Sequence, residues 1–147
     1  MNAMEFAKFL RNVPTLVEAV NHRDTMEELA VIVQESVQDN FQRQTDVMGT
    51  FWPPRKDTLP HPLLIKTGRM LDAATGGPGH HKRAQRKGLE MGIKPDKVPY
   101  AKYHQYGTRR IPQRQYFYLH STDRARFRKL FMERTRAKVL RAFGRQP

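Results

Sequence analysis

The sequence contains no cysteine, which removes disulfides, thiolate metal ligands and a cysteine nucleophile together. This suits assembly in a reducing cytoplasm. Acids are scarce in the second part of the chain: beyond residue 51 there are only Asp57, Asp72, Glu90, Asp96, Asp123 and Glu133, none of them clustered. A metal-dependent nuclease gathers several carboxylates around its ions, and no such group is visible. Long apolar runs are missing too. The longest, "LAVIV" at 29–33, falls far short of the roughly 20 residues that a membrane span needs. The start has no sequence of signal type. The expectation is a soluble protein without a membrane partner.

Catalytic constellations are equally absent. The histidines, His22, His61, His80, His81, His104 and His120, form no HExxH pair and no i, i+4 pair with a carboxylate between them. His80 and His81 are neighbours, so in an extended segment their side chains point apart and make a poor metal site. There is no GxSxG elbow and no GxxxxGK[ST] phosphate loop. "TGGPGHHKR" has glycines and a lysine at the wrong spacing. The sequence therefore assigns no catalytic residue, metal or cofactor, and an enzyme is not expected.

What is present is positive charge, unevenly spread. The 147 residues, enough for one domain with its own core, carry a formal charge of +13. Residues 1–50 hold 4 Lys/Arg against 8 Asp/Glu, a net −4, and residues 51–147 hold 23 against 6, a net +17. Such asymmetry bears on partners rather than on fold. Either nucleic acid meets the basic part, or one copy's acidic end docks on its neighbour's basic end. No helix-turn-helix, zinc-finger, RRM or KH signature supports the first.

The chain divides into a helical part (1–41), a proline-rich extended connection (42–62), a sheet-containing part (63–120) and a basic C-terminal helix with its tail (121–147). In the first part Phe6, Leu10, Val13, Val17 and Val20 fall at helical spacing, interrupted by Pro14. A second helix is expected from a cap at Asp24 or Thr25, with Met26, Leu29, Ala30, Val33, Val37 and Phe41 as one core-facing stripe. Trp52, beside two prolines, reads as the buried anchor of the connection. A short helix is expected at about 67–74. The segment 76–88, glycine-rich with Lys82, Arg83, Arg86 and Lys87, reads as a mobile basic loop or hairpin tip. "LEMGI" (89–93) alternates like a half-buried strand, with aromatic "QYFYL" (115–119) as its expected partner. The last segment is helical, capped by Ser121 or Thr122. Helices before and after a small antiparallel sheet make the class α+β.

One stretch, "YAKYHQYGTRRIPQR" (100–114), combines tyrosines, a histidine and bases around one glycine, with no acid. At helical spacing Tyr100 shares a face with His104, and Tyr103 with Tyr106. Gly107 then ends the turn at a conformation glycine meets most easily, while Pro112 and Arg114 set the entry to the following strand. Tyrosines offer large, rigid contact area, and core and interface are equally open readings for each.

The order of these pieces resembles the phage virion morphogenesis family, the tail-completion or neck proteins of Mu-type and related tailed phages. The resemblance rests on four elements in sequence: Gly49, Trp52 and Pro54; Leu63, Leu64, Thr67, Gly68 and Met70, where leucine is usual; Tyr100, Ala101, His104, Gln105 and Gly107; Pro112, Arg114 and Phe117. The basic insertion at 76–88 and the cationic tail depart from that pattern. The resemblance implies a structural virion protein, assembled in the host cytoplasm, acting at the head–tail junction or tail end. It also implies a homo-oligomeric ring, hexameric or dodecameric, that meets other neck or tail proteins and leaves room for non-specific contact with DNA in transit. A ring needs two different patches that meet. Candidates are the acids Glu27, Glu28, Glu35 and Asp39 on one side. On the other are Lys82, Arg83, Arg86, Lys87, Tyr100, Tyr103, His104, Tyr106, Arg109, Arg110 and Arg114. The competing reading is a basic DNA-binding accessory protein.

Overall fold

The computed structural model describes residues 21–143. The helix expected around Phe6–Val20, its Pro14 interruption and the tail after 143 lie outside the described residues. Four helices and one antiparallel hairpin make the described fold α+β: α1 (Arg23–Arg43), α2 (Arg69–Thr75), β1 (His80–Gln85), β2 (Gly88–Ile93), α3 (Ala101–Tyr106) and α4 (Ser121–Phe143).

The long helix α1 is the centre of the molecule. Its stripe of Met26, Leu29, Ala30, Val33, Val37 and Phe41 is buried as the spacing dictates. The C-terminal half packs with Trp52, with Met70, Ala73 and Ala74 of α2, and with Val98, Ala101 and Tyr116. The N-terminal half, Met26, Leu29 and Ile32, packs with Ala84 and Leu89 of the hairpin and Phe127, Leu130 and Phe131 of α4. Full burial of one such side chain as Phe41 stabilises the fold by about 1.5–3 kcal/mol. Trp52 is 4 % exposed, stands edge-on to Phe41 at 5.9 Å, and donates its indole N–H to the Gln115 carbonyl at 3.0 Å. It anchors the proline-rich connection.

Three local expectations are corrected. Neither Asp24 nor Thr25 caps α1. The helix begins at Arg23, whose N–H is accepted by Asn21 Oδ1 at 3.0 Å, and Thr25 is buried. Likewise α4 starts at Ser121, so the His120 carbonyl accepts its first bond, from Arg124 N–H, and Ser121 and Thr122 stand inside the first turn.

The third correction concerns the sheet. "LEMGI" pairs with 80–85, in the register His80↔Ile93 to Gln85↔Gly88, around a two-residue turn at Arg86 and Lys87. Of the two readings of 76–88, a mobile loop or a hairpin tip, the structure shows a hairpin, most of the segment being strand and turn, and 115–119 is not a strand at all. The reason is that side chains, not a ladder, satisfy the backbone of 115–119. Asn40 Nδ2 donates to the carbonyls of Tyr116 and Tyr118, each at 3.0 Å. Gln105 Oε1 accepts the N–H groups of Tyr116 and Phe117, and Gln105 Nε2 donates to the Phe117 carbonyl. With its polar groups met from α1 and α3, the segment runs extended without a strand partner.

Candidate functional site

The four elements quoted above converge in space. Leu63, Leu64 and Thr67 line one side of a recess of about 370 Å³, His104 of α3 and Tyr100, the residue before that helix, the other, and Arg114 its floor beside Met70. The backbone at Leu64 has φ +63°, a region that a bulky residue enters only when its surroundings impose it. Arg114 is 7 % exposed. Its Nε donates to the Pro53 carbonyl at 2.9 Å and its Nη2 to the Pro54 carbonyl at 3.0 Å, so it staples the proline-rich connection to α3's far side. Its own N–H is accepted by the His104 carbonyl at 2.7 Å.

Sequence reading missed three residues that complete this recess: Arg55, His61 and Lys66. Arg55 donates to the His61 ring, to the His61 carbonyl at 2.7 Å and to the Leu59 carbonyl, and pairs with Asp57 at 3.1 Å. No spacing rule announces these residues, because the turn at 55–62 alone brings them to the rim. The electrostatics is one-sided. Burial, then the Arg55 charge, lowers the Arg114 pKa, and burial, then the Arg114 charge, lowers that of His104. Each result reflects burial first and a neighbouring cation second.

The tyrosines divide cleanly. Tyr116 and Tyr118 are core, and their hydroxyls donate to the carbonyls of Ala101 and Thr45. Tyr100, Tyr103 and Tyr106 are exposed on α3, the last at 76 %. Tyr100 and His104 do share a face, their rings edge-to-face at 6.4 Å, and Lys102 Nζ lies 5.1 Å from the Tyr103 ring centroid. Tyr106 and Lys102 also rim a second groove, of about 290 Å³, floored by Ile93, Tyr116 and Phe117. Gly107 closes α3 at φ 72°, ψ 167°, backbone that essentially only glycine adopts. A Cβ there would stand 3.0 Å from the Gln113 nitrogen. Arg109, Arg110 and Pro112 are exposed on the following loop, which Thr108 Oγ1 holds by accepting the N–H of Ile111 at 2.9 Å. Gly68, at φ 72°, precedes α2.

The acids of α1 meet cations of their own chain. Glu35 pairs with Arg126 at 2.6 Å, Glu28 with Arg134 at 2.7 Å and Asp24 with Lys138, an antiparallel ladder between α1 and α4. Glu27 pairs with Lys82 of β1 at 2.7 Å, and Asp39 with Arg43 at 2.7 Å. Arg83 and Lys87 stay exposed at the hairpin. His80 and His81 point to opposite faces of β1. His80 Nδ1 lies 2.9 Å from the Ala73 carbonyl, and His81 Nε2 lies 3.3 Å from Glu90. Among the described residues no helix is long and apolar enough to cross a membrane.

No curated protein and no solved structure matches the chain. A family model does, over residues 4–135, which takes in every element that lines the recess and the tyrosine face. The chain belongs to the phage virion morphogenesis family.

Proposed function

We propose that this virion-associated protein is a non-enzymatic structural subunit that completes the tail and joins it to the head as one copy of a closed ring. The observation that carries this reading is the exposed aromatic face of α3. Tyr103 and Tyr106 project into solvent from a rigid helix whose Ala101 is buried. Exposed tyrosines beside an apolar groove are what protein interfaces favour. Just beyond the C-terminus of α1, Met48 (84 % exposed) and Phe51 stand on a tight turn that Asp46 Oδ1 organises by accepting the N–H groups of Met48 and Thr50. Two unlike apolar patches are what a heterologous, ring-closing contact requires. The acids of α1, already neutralised within the chain, contribute less to such a seam than their number suggests.

Sedimentation of the wild-type chain is expected to show a closed oligomer, and Tyr103→Ser with Tyr106→Ser to shift it to smaller species without loss of helical signal. Wild-type protein that stays single at all concentrations would remove the ring. Electron microscopy of particles made without the protein assigns the step. Separated heads and tails indicate joining, and tails of uncontrolled length indicate termination.

A second reading, a DNA-binding accessory protein, is favoured by Arg83 and Lys87 at the hairpin and by Arg124, Arg128 and Lys129 on α4, all exposed. Steeply salt-dependent DNA binding by isolated subunits would support it, and ring formation without DNA supports the first.

A further inference from the structure

The recess between 55–67 and α3 holds a buried guanidinium with no counter-charge. Arg114 uses Nε and Nη2 on two proline carbonyls, and no carboxylate is among the residues that line the recess. Among the described residues no carboxylate lies within ion-pair distance of the guanidinium. Its nearest charged neighbour on the recess is a second guanidinium, that of Arg55, whose Asp57 partner does not line the recess. Among the described residues Lys66, exposed at the rim, makes no ion pair, and the buried His104 Nδ1 has no hydrogen-bond partner. Buried charges are ordinarily paired, because desolvation without a partner is costly. Cations have thus been collected around this recess with no acid in its lining.

We propose that this recess is a socket for a carboxylate-bearing side chain of a partner protein, seated against Arg114 and His104 with Lys66 closing over it. The chemistry of the walls chooses protein over nucleic acid. Leu63, Leu64, Met70 and Tyr100 would cover the methylene stem of a glutamate or aspartate, whereas a duplex carries its phosphates on a convex surface and meets open basic faces. A planar guanidinium at the floor also matches a carboxylate in geometry as well as in charge. The socket lies on a different side of α3 from Tyr103 and Tyr106 in function, since it needs a single acidic side chain and not a ring, and it stands if the ring reading falls.

The test uses the full chain with capped glutamate, capped glutamine and inorganic phosphate as probes. The readouts are the Arg114 Nε–Hε resonance and the His104 ring by NMR. Capped glutamate is expected to shift both saturably and to raise the His104 pKa, with capped glutamine inert. Lys66→Glu, an exposed change that leaves the staple intact, is expected to weaken binding at least tenfold. Three results overturn the proposal: no saturable shift at any probe concentration reached, equal response to glutamine, or unchanged affinity in Lys66→Glu. Tighter binding of phosphate than of capped glutamate would overturn the assignment to a protein carboxylate.

Discussion

Asn40 holds together parts of the chain that lie 76 and 78 residues away from it in sequence. Its amide donates to both the Tyr116 and the Tyr118 carbonyl, and Ser36 Oγ, one turn earlier, donates to Asp123 at 2.8 Å. Replacing Asn40 by Leu leaves the Tyr116 carbonyl without a donor and the Tyr118 carbonyl with Ser36 Oγ alone, at 3.3 Å, so we expect a loss of about 1–3 kcal/mol. A lowered urea midpoint at unchanged slope would show it. Gly107→Ala places a Cβ in glycine-only backbone against Gln113, and a cost of about 1–3 kcal/mol is expected in the same measurement. The buried tyrosines give a pH signature. Burial raises the Tyr116 and Tyr118 pKa above the ordinary 10.0. The unfolded chain then releases these protons at a lower pH than the folded one, so stability is complete below pH 10 and falls as pH rises through it. His104 acts in the opposite range. Its lowered pKa means the unfolded chain takes up a proton first, and stability falls as pH drops below about 6.5. Tm followed from pH 5 to 11 should decline at both ends.

At the scale of elements, α1 and α4 are joined by apolar packing and by the ladder Glu35–Arg126, Glu28–Arg134 and Asp24–Lys138. The Lys138 hydrogen bond holds the Asp24 carboxyl below its ordinary range. These pairs are solvent-exposed, so their weight is small singly and screened by salt. Glu28→Arg is expected to lower Tm, more at low salt than at high, and Arg134→Glu in the same chain to recover it. A helix face with 3.6-residue periodicity was readable in the sequence because its signal is local: every stripe residue of α1 is where its spacing puts it. Trp52 was readable for the same reason, an apolar anchor among prolines. The hairpin's partner was not. β-propensity favoured aromatic "QYFYL" over "HHKRAQ", but pairing was decided by adjacency across a two-residue turn, and by Asn40 and Gln105 supplying 115–119 with hydrogen bonds from afar. An asparagine inside an apolar stripe carries no sign of which carbonyl it will meet. The recess was half legible: His104, Arg114 and Thr67 stood out in their elements, while Arg55, His61 and Lys66 depend on the path of the connection.

For the molecule as a whole, the division into an acidic start and a basic remainder is partly cancelled by folding, since each acid of α1 finds a cation within the chain. What is left outward is mainly positive charge on the hairpin and α4, with an aromatic helix between exposed grooves. Association should therefore survive moderate salt if tyrosines and apolar groups hold the seams, and collapse with salt if charge does. Sedimentation at rising ionic strength separates the two. The central position of α1 also bears on how the chain is made. Its stripe is covered by α2, the hairpin, Tyr116 and the Phe127–Phe131 turn of α4, all synthesised later. A nascent polypeptide still on the ribosome therefore lacks the α4 cover of Met26, Leu29 and Ile32 until its last quarter emerges. A chain stopped at residue 120 is expected to be recovered as aggregate or bound to chaperones, which makes completion of synthesis itself the step that releases an assembly-competent subunit.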